Sequence, residues 1–190
     1  MSNISMKSLK GNLQKAHIVI VGSGIIGKFN ALELSELGFQ VTIIDPAEQQ
    51  NSSHAALGLL MGNMYQKRRG RSWDLRKQSI ELWPQWITFL QKFNYELNIE
   101  KPLIELTTDE KKFKKLEKFV YENNDQNLRI LKKDSIFIKN INKAFQTNNI
   151  KGMISFKDGR INPFSLLQTL DKYLKHKKVN YLQEKIIKIR

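Results

Sequence analysis

The sequence predicts an α/β fold with a parallel sheet, and three observations near its start predict it. The short apolar run His17–Val21 has the length and composition of a buried strand. An amphipathic stretch follows, and a second apolar run, Gln40–Ile44, comes after it. Three glycines in G-x-G-x-x-G spacing join the first strand to the predicted helix: Gly22, Gly24 and Gly27. A strand, a helix and a second strand in this order form a βαβ unit, in which the strands are parallel.

The glycine spacing predicts a dinucleotide site. In such a site the first glycine makes the tight turn, the second lets the backbone approach a pyrophosphate, and the third lets the helix pack closely on the strands. The pyrophosphate would lie at the helix N-terminus. Asp45 lies 18 residues after Gly27, near the position of a ribose-binding acid. A glycine-rich turn in an unrelated α/β unit is the alternative. We expect one apolar helix face, formed by Ile25, Ile26, Phe29 and Leu32.

The composition is typical of a globular protein, because 41% of the 190 residues are hydrophobic and 9% are aromatic. The absence of cysteine excludes disulfides and thiolate chemistry, and three widely spaced histidines form no metal-ligand cluster. No apolar run is long enough to cross a bilayer and no hydrophobic signal core is present, so we expect a cytoplasmic protein without membrane partners. The net charge of +14 comes mostly from dispersed lysines. One arginine-rich cluster, from Lys67 to Arg71, keeps nucleic-acid binding open as an alternative.

The stretch 54–62 is small and apolar, with two glycines and no helical period. Residue chemistry alone leaves it equally open as a loop against a flat ligand or as a plain buried loop. A helix follows, with Ser72 as its cap and with Pro84 predicted to kink or split it. Its predicted buried stripe is Leu75, Leu82, Trp86, Phe89 and Phe93. We expect the three tryptophans of this region to belong to the core rather than to a stacking platform.

The later elements are shorter. Residues 99–107, 128–131, 136–138 and 153–156 are predicted as strands or turns. Thr107 and Glu110 fit a capping box at the start of a helix, and Asp158 with Gly159 signals a turn. Asn162 and Pro163 start the last helix, whose predicted buried stripe is Leu166, Leu167, Leu170 and Leu174. Residues 179–181 and 186–189 are predicted as the last strand.

Four stretches, in order along the chain, carry a resemblance to a known family. They are VIVGSGIIGKFNALELSELGFQVTIID, SSHAALGLL, DGRINPFSLLQTL and EKIIKI. They resemble the N-terminal FAD fingerprint, the second flavin-contacting loop, the turn and helix that re-enter the FAD domain, and the strand after that helix. The family is that of the flavin-dependent amine and amino-acid oxidases, which includes glycine oxidase, D-amino-acid oxidase and sarcosine oxidase. The resemblance runs from about residue 16 to the last residue. It implies a Rossmann-like FAD-binding unit with part of an α+β, antiparallel-sheet substrate domain.

The resemblance also implies which residues contact FAD, and it favours FAD over NAD. Beside Gly22, Gly24 and Gly27, they are Ile25 and Ile26 at the pyrophosphate, Asp45 and Pro46 at the ribose and adenine, Ser52 and Ser53 at the phosphates, Leu57, Gly58 and Leu59 along the flavin ring, and Ile186 at the adenine. No catalytic residue and no metal ligand follow from it. The stretch 54–62 is accordingly expected to be a cofactor loop.

Family members run to about twice this length, so the resemblance implies a truncated chain. The expected division is a flexible lead-in over 1–15, an incomplete FAD-binding domain over 16–94 and 160–190, and a partial substrate domain over 95–159. The sheet of the substrate domain would lack partner strands, and exposed strand edges invite association. We therefore expect the chain alone to be marginally stable and to bind FAD weakly or not at all.

The expected function is FAD-dependent oxidation of a C–N bond in a small amine or amino acid. One alternative is a non-catalytic remnant, or a split-gene subunit that needs a partner chain with the C-terminal half. Another is an RNA-associated flavoprotein that acts on a modified transfer-RNA base and uses the cluster from Lys67 to Arg71. A plain NAD-dependent dehydrogenase fits the glycine motif but neither SSHAALGLL nor DGRINP.

Overall fold

The computed structural model describes residues 16–47, 52–145 and 149–188. The predicted lead-in over 1–15 and Ile189 lie outside this range. Within it, the backbone forms two compact units. The first contains 16–47, 52–57, 88–97 and 162–188, and the second contains 58–87, 98–145 and 149–161. These units group residues by contact and not by role, so the division into an FAD-binding and a substrate domain stays a prediction.

The secondary structure alternates between strands and helices. In chain order the elements are β1 (His17–Val21), α1 (Ile25–Glu36), β2 (Gln40–Ile44), α2 (Ser52–Ala55), β3 (Leu59–Leu60), α3 (Arg71–Leu90), β4 (Leu103–Thr107), α4 (Glu110–Asn123), β5 (Leu128–Leu131), α5 (Ile136–Phe145), β6 (Lys151–Ser155), β7 (Gly159–Arg160), α6 (Pro163–His176) and β8 (Asn180–Leu182). No helix of the described residues is long and apolar enough to cross a membrane.

The first unit confirms the predicted parallel sheet. Its strand order is β1-β2-β8, and both pairs are parallel. Helices α1 and α6 pack against each other. The predicted stripe of α6 is buried, with Leu170 and Leu174 fully inaccessible. Asn162 caps α6 as predicted, because its side-chain oxygen accepts hydrogen bonds from the backbone N–H groups of Phe164 and Ser165 at 3.0 and 3.2 Å.

Two predictions for the first unit are wrong in part. Of the predicted face of helix α1, Leu32 is buried and Ile25 and Phe29 are partly buried, but Ile26 is 74% exposed. The helix also buries Lys28 and Ala31. Lys28 can be buried because its ammonium group pairs with Asp171 of α6, and a paired charge tolerates burial that an unpaired one does not. The last strand is Asn180–Leu182, and residues 183–188 are in no strand. Ile186 is therefore partly buried but does not belong to the sheet.

The second unit contains an antiparallel sheet of order β4-β6-β5 and a two-stranded ribbon, β3 with β7. The predicted strands 128–131 and 153–156 are confirmed within two residues, and of the predicted stretch 99–107 only Leu103–Thr107 forms a strand. The segment from Ile136 is the start of helix α5 rather than a strand. Helix α4 begins after Asp109, which caps it by accepting a hydrogen bond from Lys112 N at 3.0 Å, so Thr107 is not the cap.

Helix α3 also differs from the prediction. It begins at Arg71, so Ser72 lies inside it, and it continues through Pro84 as one helix. Leu75 and Leu82 of the predicted stripe are 67% and 42% exposed, whereas Trp86, Phe89 and Phe93 are partly buried. Ile87 and Leu90, which lie outside that stripe, are buried. The prediction is wrong for the first two positions, because burial depends on which tertiary partners are present and not on helical spacing alone.

Gly27 fixes the distance between α1 and the end of β1. A Cβ atom built on Gly27 would lie 2.0 Å from the backbone oxygen of Gly22. Alanine normally stabilises a helix relative to glycine, but here its methyl group would collide with backbone that cannot move aside. We expect Gly27→Ala to lower the free energy of unfolding by more than about 2 kcal/mol, measured by urea denaturation.

Gly24→Ala is the matched control for this substitution. Gly24 has a φ of −69°, which alanine adopts without strain. The nearest atom to its Cβ would be the side-chain Oγ of Ser53 at 3.0 Å, which needs to shift by only a few tenths of an ångström. We expect Gly24→Ala to change the stability by less than about 0.5 kcal/mol. Equal losses for both variants would contradict the assigned role of Gly27.

Candidate dinucleotide site

The turn between β1 and α1 has the geometry that the glycine motif predicts. Gly22 has a φ of +100°, which a residue with a Cβ rarely adopts, so the predicted tight turn is confirmed. Its backbone N–H donates to the oxygen of Ile44 at 2.9 Å, which ties the turn to the end of β2. The turn therefore lies at the carboxyl ends of the two parallel strands, where ligands bind in open α/β sheets.

The N-terminus of α1 has no acidic residue in its first turn, and its cap residue, Gly24, makes no side-chain hydrogen bond. The backbone N–H of Ile25 donates instead to Ser53 Oγ at 2.9 Å, from helix α2. The Ser53 hydroxyl accepts that bond and keeps its own proton for a further acceptor. Ile26, the next residue, is exposed. The positive end of the helix dipole is thus not neutralised by an acid of its own first turn.

Asp45 holds the same turn from the other side. Its Oδ2 accepts a hydrogen bond from the backbone N–H of Ser23 at 2.7 Å, and its Oδ1 accepts one from Ala47 at 2.7 Å. Partial burial alone would raise the pKa of the Asp45 carboxyl, but these hydrogen bonds outweigh it and hold the pKa below its usual range. Asp45 is therefore ionised at neutral pH and remains partly accessible beside the glycine turn.

The structure brings together one group of the predicted site residues: the three glycines, Ile25, Asp45 and Ser53. Ser52 starts α2, and Pro46 follows Asp45 with its side chain exposed. Leu57 is 71% exposed in the first unit. In the second unit Gly58 has a φ of +71° and accepts a hydrogen bond from Ile161 N at 2.9 Å, and Leu59 is 46% exposed. Ile186 lies outside any helix or strand.

The geometry of the first unit is typical of nucleotide-binding folds: a parallel βαβ turn, a helix N-terminus without an acid in its first turn and an aspartate at the end of the second strand. Comparison with known proteins identifies the family. Residues 17–190 match the model of the DAO family, described as FAD dependent oxidoreductases. The chain belongs to this family, as the sequence resemblance predicted.

Similar proteins support the fold. An uncharacterized oxidoreductase of Bacillus subtilis, YurR, is 30% identical over 106 residues, which are 55% of this chain and 28% of that protein. Iminodiacetate oxidase from Chelativorans sp. BNC1 has a TM-score of 0.73 at 17% identity and covers 90% of this chain and 47% of its own. Glycine oxidase from Bacillus cereus has a TM-score of 0.72 at 20% identity, and the match covers 90% of this chain and 48% of that protein. The chain thus spans about half the length of these solved relatives.

Sequence reasoning missed the role of Asp158, which it treated as a turn residue. Asp158 is fully buried, and its carboxylate accepts hydrogen bonds from three successive backbone N–H groups. They belong to Gly62, Asn63 and Met64, at 2.8, 2.8 and 2.6 Å. This contact fixes the chain just after β3 to the chain just before β7, and so holds the ribbon that contains Leu59. The Asp-Gly pair indicates a turn, but nothing in the sequence indicates its distant backbone partners.

The basic cluster from Lys67 to Arg71 is not one surface. Arg68 packs between the rings of Trp73 and Phe119, with its guanidinium carbon 5.4 and 5.0 Å from their centroids. It also hydrogen-bonds to the side chain of Asn123 and to the backbone oxygen of Asn63. Lys67, Arg69 and Arg71 are exposed. Arg68 is therefore partly buried and fixed to the second unit, unlike its neighbours in the cluster.

We expect Asp158→Asn to lower the free energy of unfolding of the chain by about 3 kcal/mol. The asparagine side chain has only one oxygen that can accept hydrogen bonds. Its NH₂ group would face either the backbone N–H of Met64 or those of Gly62 and Asn63, and two donors would then oppose each other. Urea denaturation measures the loss. Asp134→Asn, at an exposed turn, makes the same change of charge and serves as the control. Equal midpoints for the two variants would show that the buried carboxylate contributes nothing specific.

A comparison of Arg68→Ala with Arg69→Ala distinguishes the structural contacts of Arg68 from the effect of removing a surface charge. Because Arg68 loses two aromatic contacts and its hydrogen bonds, we expect its alanine variant to lose about 2 kcal/mol of stability. Arg69→Ala is expected to change it by less than about 0.5 kcal/mol. Any test of RNA binding therefore needs Arg69→Ala with Arg71→Ala and an intact Arg68. The interpretation of Arg68 fails if both single variants unfold at the wild-type urea concentration.

Proposed function

We propose that this chain holds the adenosine diphosphate end of FAD in an oxidoreductase that oxidises a C–N bond of a small amine or amino acid. The observation that carries the proposal is the ionised carboxylate of Asp45, held against the glycine turn by Ser23 N at the carboxyl end of β2. A carboxylate in this position can accept hydrogen bonds from ribose hydroxyls. Membership of a family of FAD-dependent oxidoreductases supports FAD as the dinucleotide.

The residues present fit a pyrophosphate. Gly24 places no side chain over the first turn of α1, and that turn carries no acidic residue that would repel an anion. In the proposed complex the backbone N–H groups of this turn, including that of Ile26, point at phosphate oxygens. The hydroxyl of Ser53, which already accepts from Ile25 N, donates its own proton to one of them. Ser52 extends this contact from the start of α2.

The adenine and the flavin ring are assigned from the family resemblance. In the proposal Pro46 and the backbone of Ile186 contact the adenine, while Leu57, Gly58 and Leu59 lie along the flavin. The exposure of Leu59 supports this part, because 46% of this large apolar residue is accessible. FAD, when bound, accepts the hydride removed from the carbon beside the amine. The residues of this chain orient and anchor it.

The substrate is proposed for the whole protein from its relatives. Two solved relatives are named for oxidation of iminodiacetate and of glycine, which are small amino acids. Since the chain spans about half the length of these relatives, no residue of this chain is assigned to the substrate. The remaining groups of a substrate site would come from other sequence, in the same protein or in a partner chain.

A competition experiment tests the proposal on the 190-residue chain. Because the assigned residues hold the adenosine diphosphate end, we expect FAD and ADP to compete for one site. Flavin mononucleotide lacks this end, so we expect it to bind more weakly and not to compete with ADP. Isothermal titration calorimetry measures each affinity. We expect Asp45→Asn to weaken both FAD and ADP about tenfold or more, the loss expected for hydrogen bonds to a charged group.

One control variant and one further test variant accompany this experiment. Asp134→Asn removes a carboxylate from an exposed turn and should leave the affinities unchanged. Gly24→Ala keeps the fold but puts a methyl group where the pyrophosphate approaches, so it should weaken FAD and ADP alike. Equal binding of flavin mononucleotide and ADP, or an unchanged affinity in Asp45→Asn, would refute the assignment. An affinity for NAD above that for FAD would refute the choice of cofactor.

A further inference from the structure

Helix α5 of the second unit is anchored through one of its faces. Ile138 is fully buried and forms a hydrophobic cluster with Leu131, Ile150 and Ile154, and Ile141 packs against this cluster. Leu131 belongs to β5 and Ile154 to β6, so α5 lies on the antiparallel sheet. Because side chains three residues apart share a helix face, the other sides of α5 are turned away from the cluster.

Large apolar side chains are exposed on those other sides of α5. Ile136 is 73% exposed, Phe137 is 48% exposed and Phe145 is 71% exposed. Ala144, seven residues after Phe137, lies on the same helix face and is exposed as well. Single exposed apolar residues are normal in proteins, whereas a group of them on one element marks a surface that contacts another molecule or a membrane.

Four lysines accompany this apolar surface. Lys132 and Lys133 precede the helix, while Lys139 and Lys143, four residues apart, are neighbours on one side of it. All four are exposed, and none of the ion pairs found within 16–47, 52–145 and 149–188 includes them. Asp134 is the only acidic residue from 132 to 145. The surface therefore combines exposed apolar side chains with a net positive charge.

This combination favours a lipid surface over other partners. Lysine is depleted in protein–protein interfaces. A helix that lies on a membrane, by contrast, carries apolar residues on one side and lysines beside them, which attract anionic headgroups. The aliphatic part of a lysine side chain can cover apolar surface while its ammonium group reaches a headgroup. Nucleic acid would attract the lysines through its phosphates, but this contact would leave the exposed isoleucine without a role.

We propose that α5 binds the surface of a membrane that contains anionic lipids. The side chains of Ile136, Phe137 and Phe145 enter the boundary between headgroups and acyl chains, and the four lysines contact the phosphate groups of the lipids. The helix lies in the plane of the surface, a mode that does not require a helix able to cross the bilayer. The expectation of a protein without membrane partners rests on the absence of a spanning segment, so it does not bear on a helix of this kind.

This surface is independent of the proposed dinucleotide site. No residue of α5 is among the residues assigned to FAD, and binding to lipid needs no flavin. A failure of FAD binding and a failure of lipid binding are therefore separate results.

Co-sedimentation of the 190-residue chain with lipid vesicles tests the proposal. One set of vesicles contains phosphatidylcholine alone, and the other contains phosphatidylcholine mixed with anionic phosphatidylglycerol. We expect the chain to bind the anionic vesicles at least about tenfold more tightly, and we expect added salt to weaken this binding because it screens the lysines. Equal binding to both sets of vesicles, or no binding to either, would overturn the proposal.

A pair of charge variants locates the binding surface. Lys139→Gln with Lys143→Gln should weaken binding to the anionic vesicles at least about tenfold. Lys114→Gln with Lys115→Gln removes the same charge from exposed positions of α4 and should have a smaller effect. Equal losses for the two double variants would show a general attraction of a basic chain to anionic lipid, and the assignment to α5 would be wrong.

A second pair of variants tests the apolar contribution. Ile136→Ser with Phe145→Ser leaves every lysine in place and should weaken vesicle binding at least about tenfold, because two large side chains no longer enter the membrane. Leu75→Ser with Tyr121→Ser removes side chains that are 67% and 86% exposed outside α5, and it should leave binding unchanged. Wild-type affinity in the first of these variants would contradict the proposal. If that variant does not fold, the charge variants decide.

Two further measurements address other occupants of this surface. Fluorescence anisotropy with single-stranded polyuridylate measures RNA binding, and sedimentation velocity measures the oligomeric state. RNA binding that requires Lys139 and Lys143, without binding to vesicles, would make α5 a nucleic-acid surface. A dimer that Ile136→Ser with Phe145→Ser dissociates, again without binding to vesicles, would make it a contact with a second copy of the chain. Either result overturns the proposal.

Discussion

The carboxylate of Asp158 is the contact on which the second unit depends. It is fully buried and is satisfied by three backbone amides, from Gly62 to Met64. Successive N–H groups that converge on an anion provide a positive field without a cation. By fixing this turn, Asp158 positions the residues just after it. They are Tyr65, whose ring contacts the guanidinium of Arg76, and Arg68, which packs on Trp73. One buried charge therefore orders both the β3–β7 ribbon and the start of α3.

The first unit uses the same interaction at its glycine turn, with a different outcome. Asp45 also stands at a strand end and also accepts backbone N–H groups, from Ser23 and Ala47. Unlike Asp158, it is partly accessible, so ribose hydroxyls can reach its oxygens. The three amides of Asp158 leave it no access to a ligand. Two aspartates with similar backbone partners thus differ in solvent access, and that difference separates a structural carboxylate from a candidate binding one.

Local sequence signals predicted those features that local contacts determine. The glycine motif predicted the turn at Gly22 and the close packing at Gly27, and the Asn-Pro pair predicted the start of α6. Predictions that needed distant partners failed. The burial of Lys28 in α1 depends on its ion pair with Asp171, which lies 143 residues away. The buried face of α3 and the partners of Asp158 likewise depend on contacts between remote segments, which periodicity cannot indicate.

The net charge of +14 illustrates the same limit. In the sequence, Lys28, Arg68 and Arg76 look like any of the solvated basic residues. In the structure, Lys28 pairs with Asp171, and Arg68 lies in the field of Asp125 and Asp158, although its partial burial lowers its pKa. Arg76 is equally ordered, by Tyr65 and Met61, but none of the ion pairs among the described residues includes it. No feature of the sequence identifies the partners that order these three cations, so a count of basic residues does not indicate which of them form a solvated surface.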